Sequence, residues 1–148
     1  MQTEKLKSKL DLLTKDEPAL FGIMTPQHMV EHLIITFKLS QGKITLFEKE
    51  PSARSLQAKQ AILYGDMDLP RGIKAPGIGD QLLKLKYGSI EESKEQLLKA
   101  LKDYHSYYAE NQQAKHYHPA FGKLSYEEWS AFHQKHFKHH FGQFGITW

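Results

Sequence analysis

The chain has 148 residues with 40% hydrophobic and 25% charged side chains, an ordinary globular balance and enough length to bury one core as a single domain over 1–148. It contains no cysteine, which excludes disulfides, thiolate metal sites and cysteine nucleophiles, so any metal must be held by nitrogen and oxygen. The formal charge is only +3, and Arg54 and Arg71 are the sole guanidinium forks among 20 basic residues, which argues against a nucleic-acid partner.

In chain order, Leu6, Leu10 and Leu13 recur at helical spacing among Lys and Glu, and predict an amphipathic helix over 3–15. "DEPALFG" breaks it at Pro18 and Gly22. A second helix opens at "TPQHMVEHL", where Thr25 suits the N-cap and Pro26 the first helical position, and runs to about Gly42. Residues 52–64 predict a weaker third helix. "GDMDLPRGIKAPGIGD" is too rich in Gly and Pro for regular structure and reads as a surface connection. A Ser89…Glu92 capping box starts a helix carrying Ile90, Leu97, Leu101, Tyr104 and Tyr108 on one face. "HYHPAFGKL" reads as a loop: either His118, held extended before Pro119, folds over the mouth of the bundle or, the favoured reading, Phe121 packs inward while the polar tips face water. Ser125…Glu128 then forms a second box and begins the last helix.

No strand-type alternation persists, so the expected fold is all-α, an antiparallel four-helix bundle with one long Gly/Pro-rich connection. No apolar run reaches bilayer length, and the start "MQTEKLKSKLDLL" lacks an apolar signal core, so no membrane partner and a cytoplasmic location are expected. Aromatics expected to be exposed at Phe141 and Trp148 would suit a homodimer.

"FHQKHFKHHFGQF", residues 132–144, holds four of the nine histidines. Successive helical residues turn by about 100°. His133, His136 and His140 therefore share a side with Trp129, Phe137 and Phe144, while Lys135, Lys138 and Glu128 lie opposite and His139 falls at the boundary. A solvated basic smear would put the histidines with the lysines. His136 and His140 are one turn apart, a rise of roughly 6 Å, and can converge on one ion. His28 and His32 repeat that spacing on the "HMVEHL" helix, on a face shared with Met29, Ile35, Thr36 and Leu39. His32 lies deeper than His28, so His32 with His136 and His140 is the expected ligand set.

The long motifs "MTPQHMVEHL" and "HPAFGKLSYEEWSAFHQKHFKHHFGQFG" resemble the DinB/YfiT-like superfamily of metal-binding four-helix bundles, in a bacterial branch with TPxxMxEHL and HPxFG…KHFxHHxxQFG patterns. The resemblance covers nearly the whole chain, including "LPRGIKAP". It implies a divalent metal on His32, His136 and His140, with Gln143 matching a trailing Gln of the motif and Phe141 standing where that motif has Arg. His28 and His133 become supporting donors or alternative ligands. The superfamily includes enzymes that use low-molecular-weight thiols, and an analogy of fold does not fix the chemistry.

Three neutral ligands leave a cation charged and with an open position, the pattern of catalytic sites. Water there is acidified, or a thiol or carbonyl takes its place. Zinc is the first expectation, with nickel or iron(II) next. Glu31 points about 100° away from His32 and is not assigned as a base. His133, with an ordinary pKa of about 6.5, is the candidate for proton transfer, or else a packing residue. Tyr104, His105 and Tyr108 either line the cavity or belong to the core. The leading expectation is a metal-dependent enzyme acting on a small molecule by hydrolysis or thiol transfer, with specificity in the 66–88 connection. The alternatives are a non-catalytic metal- or ligand-binding bundle and a metal-free bundle whose histidines are hydrogen-bonded.

Overall fold

Helices begin where a side chain can take up the first unpaired backbone N–H groups. The computed structural model describes residues 3–71 and 82–148; residues 72–81, the centre of the Gly/Pro-rich connection, lie outside them. Among the described residues five helices form: α1 (Thr3–Asp11), α2 (Pro26–Ser40), α3 (Ala53–Leu63), α4 (Ile90–Glu110) and α5 (Tyr126–Gly142). Thr25 Oγ1 accepts from His28 N at 3.2 Å at the start of α2. The Ser125–Glu128 box closes in both directions, at 3.1 and 3.2 Å. The expected Ser89–Glu92 box is only half formed. Ser89 accepts from Glu92 N, but the Glu92 carboxylate turns back one residue further and takes Gly88 N. α1 stops at Asp11 rather than near residue 15, although Leu13 is still buried.

Among the described residues the all-helical expectation fails at one place. β1 (His116–His118) pairs antiparallel with β2 (Gly122–Leu124), with His118 opposite Gly122. The fold is therefore mostly helical with one small hairpin inside the segment read as a loop. His118 is buried there, not facing water. Its Nδ1 accepts from Ala120 N at 3.0 Å and Phe121 N at 3.3 Å, and its ring stacks on Phe121. Trp129 Nε1 donates to His116 O at 3.1 Å and pins the hairpin to α5.

α2 packs on α4 and α5, α1 on α4, and α3 on α5. Trp129, Tyr104, Phe37, Phe137 and Phe141 fill the interior with Met29, Leu33, Leu97 and Leu101. The buried stripe of α2 runs through Met29, Leu33, Phe37 and Ser40. His28, His32 and Leu39 sit half-buried at its margin, and Ile35, expected inside, is exposed. The stripe is rotated because α2 faces α4 more than α5, and this brings His32 to the α2–α5 seam. Phe141, expected at the surface, is fully buried and stacks on Trp148, so it offers no exposed aromatic for a second copy.

The outer side of α5 is partly covered. Glu128 pairs with Lys59 at 3.0 Å and accepts from Tyr64 Oη at 2.8 Å, which ties α3 to α5. Among the described residues no helix is long and apolar enough to cross a membrane.

Candidate metal centre

α5 holds His136 and His140 on its inner face, and the rotated α2 brings His32 against them. His136 Nε2 lies 3.0 Å from His32 Nε2 and 2.9 Å from His140 Nε2, and the ligand atoms of all three rings lie within 4.8 Å of one another. His136 and His140 are buried and His32 is partly open, so the cluster faces outward on the α2 side.

A ring nitrogen offers one in-plane site, either an N–H or a lone pair. His140 Nδ1 lies 2.7 Å from Gln143 Oε1, an acceptor, so the Nδ1 carries the proton and the His140 Nε2 lone pair points into the cluster. His136 Nε2 meets two neighbours with a single site. With the proton on Nε2, one hydrogen is split between two acceptors and the buried Nδ1 lone pair has no partner among the described residues. With the proton on Nδ1, that buried N–H has no partner among the described residues, the His136 and His140 Nε2 lone pairs face each other, and a proton on His32 Nε2 serves His136 alone. No tautomer satisfies this group by hydrogen bonds alone. A cation would take up the three Nε2 lone pairs, with the His136 Nδ1 proton still unpartnered among the described residues: zinc–nitrogen bonds of about 2.0–2.1 Å in tetrahedral array put ligand nitrogens roughly 3.3 Å apart, within a few tenths of the two short separations.

The rings are also held neutral, as ligands must be. Burial pushes His32 down to about 4, with the His139 charge adding to it. Burial first, then the neighbouring rings, hold His136 and His140 well below the ordinary histidine value.

The other histidines lie outside this group. His28 stays in the first turn of α2, with Nδ1 2.6 Å from Thr25 Oγ1. His133 is buried, stacked between Phe37 and Trp129, with Nε2 3.0 Å from Ser40 Oγ. Ser40 already donates its hydroxyl proton to Phe37 O, so His133 must be the donor, and it serves the packing of α5 on α2. His139 lies edge-on to Phe21 and His140. Tyr104 and Tyr108 are core residues, with Tyr108 Oη donating to Ser40 O. His105 Nδ1 meets Tyr126 Oη at 3.1 Å.

Sequence reasoning missed what Glu31 does. Its carboxylate accepts from Lys86 N (2.6 Å), Tyr87 N (3.4 Å), Gln27 Nε2 (2.9 Å) and Ser93 Oγ (3.0 Å), and so fastens the end of the long connection to the residue preceding His32. Burial alone raises its pKa, but these donors outweigh burial and bring it below the usual carboxylate value. A Glu next to an expected ligand, on a helix with no other acid, was the available signal. Three of its four partners, Lys86, Tyr87 and Ser93, lie far along the chain, so the signal could not name them. Glu31→Gln turns one acceptor into a donor facing these N–H groups. It is expected to lower the unfolding free energy by about 1.5–3 kcal/mol in urea titrations.

Residues 63–147 match the family described as protein of unknown function (DUF1569), which is more than half of the chain, and the chain belongs to that family. The matched span contains His136, His140 and Gln143, whereas His32 lies before it. No curated protein and no solved structure matches.

Proposed function

We propose that this DUF1569 protein binds one divalent transition metal through His32, His136 and His140, zinc first and nickel or iron(II) next, within a DinB-like four-helix framework whose long members are α2, α4 and α5. The observation that carries this reading is the convergence of three Nε2 atoms from two helices, which hydrogen bonding accommodates only by splitting one proton between two acceptors. We further propose that the centre is catalytic and acts on a small molecule, by hydrolysis or by transfer to a low-molecular-weight thiol. A three-histidine cation supplies Lewis acidity at an open position, which acidifies water or polarises a thiol or carbonyl.

The chain's own residues do the rest. His136 and His140 are preset by one rigid helix, so little ordering entropy opposes binding. Gln143 fixes the His140 ring, and the half-buried margin at His32 is the side from which a substrate enters. A non-catalytic metal-binding bundle is the second reading, favoured by the burial of two of the three ligands.

Protein purified without an affinity tag is expected to contain, or to take up after dialysis against zinc, about one equivalent by elemental analysis. His136→Ala is expected to hold none. Wild-type protein that takes up no stoichiometric metal overturns the site. Thiols paired with electrophiles, and simple esters and amides, then test catalysis with and without chelator. Turnover indifferent to chelation sinks the catalytic part and leaves the binding reading standing.

A further inference from the structure

The geometry points to Gly22, in the loop before α2, as a positioning residue for the centre: its bare α-carbon leaves the space in which the Gln143 amide turns its oxygen to His140. This rests on the three-histidine reading and names the device that fixes one ligand's tautomer.

The loop lies across the C-terminal end of α5. Leu20 N donates to Gln143 O at 2.7 Å. The Phe21 ring stands edge-on to His139 at 5.5 Å, and the Arg71 guanidinium lies over the Phe21 ring at 4.1 Å. Gly22 follows with φ +79°, a left-handed conformation that a side chain adopts only with strain. A Cβ at this position would stand 2.7 Å from Gln143 Nε2. Gln143 is buried, and its Oε1 is already committed to His140 Nδ1 at 2.7 Å. The least costly escape for the amide is rotation, and rotation surrenders that bond. The consequence reaches the metal because the two ring nitrogens are complementary. While Oε1 accepts at Nδ1, Nε2 keeps its lone pair. Once that acceptor is withdrawn, the proton is free to reside on Nε2, where it blocks coordination. An outer partner of this kind typically contributes 10–100-fold to metal affinity.

The test uses Gly22→Asn, since Asn tolerates positive φ and carries the offending Cβ with least backbone strain. Gly145→Ala is the control. It has the same backbone requirement (φ +73°) in the same region, but its nearest neighbour would be Leu20 Cδ1 at 3.7 Å. Zinc affinity is measured by competition with a chromophoric chelator. Gly22→Asn is expected to weaken binding about tenfold, Gln143→Ala by a similar factor, and the double variant by no more than either alone. Gly145→Ala is expected to bind as wild type. A second readout needs no metal: ring 15N shifts of His140 are expected to show a proton on Nδ1 in wild type and a mixture of tautomers in Gly22→Asn. Wild-type affinity and an unchanged tautomer in Gly22→Asn overturn the inference, as do losses that simply add in the double variant. Wild-type protein that ignores zinc while the tautomer shifts as stated removes the metal reading and keeps the positioning one.

Discussion

Metal-free His136→Leu protein is expected to be more stable than metal-free wild type, by about 1 kcal/mol in urea unfolding, and to gain nothing from zinc. In wild type a buried Nδ1 without a partner among the described residues sits behind a Nε2 that must serve two neighbours. A buried polar group left unsatisfied costs about 1–3 kcal/mol, and replacement by an apolar group of similar volume removes that cost. Zinc reverses the order. At a free concentration about 100-fold above its dissociation constant it adds about 2.7 kcal/mol to the protein that can bind it. The two unfolding curves should therefore exchange places when zinc is added. A variant several kcal/mol less stable than wild type without metal would show that His136 is held by the fold for packing. A variant still stabilised by zinc would place the metal elsewhere.

The parts of this site that were legible in the sequence are those fixed by local rules. Thr25–Pro26 and Ser125–Glu128 are short-range capping devices, and both helices start where those residues put them. The inward turn of His133, His136 and His140 followed from the lysines on the other side of one helix. The parts that were not legible depend on which neighbour a helix meets. The face of α2 was misjudged because apolar residues surround most of that helix, and only its packing on α4 decides that Leu33 goes in and Ile35 goes out. The hairpin strands are too short for alternation to register. His118 was taken for a polar tip because nothing local shows that Ala120 and Phe121 would supply its two donors. The contacts Glu31 makes to Lys86 and Tyr87, and Gly22 to Gln143, join segments remote in the chain.

Acid should unfold this protein unusually early, with the loss beginning near pH 6 and a midpoint near about pH 5. Burial holds His118 down to about 3 and His32 down to about 4, and it keeps His133, His136 and His140 well below the ordinary value. Their folded values thus lie below the unfolded value of about 6.5. Above that pH both states are neutral, and these rings make no pH-dependent contribution. As pH falls below it, the unfolded chain takes up protons that the folded chain refuses, so stability drops until the folded values are reached. Each such ring contributes a slope of about 1.4 kcal/mol per pH unit, and five acting together approach about 7 kcal/mol per unit. A domain with about 5–15 kcal/mol of stability exhausts that within one to two units. Glu31 and Glu128, whose folded values are lowered, lose their contribution only at more acid pH, so they do not produce the early part of the fall. Urea titrations from pH 7.5 down to 4.5 measure the slope. His118→Phe should reduce it by about one proton, because that ring lies outside the three-histidine group. Zinc should move the midpoint to lower pH in wild type and leave it in place in His136→Leu, since only neutral rings hold the ion. A flat profile between pH 6 and 4.5 would mean that the rings are not buried in their neutral form. The preset lone pairs on which the proposed metal capture depends would then be absent as well.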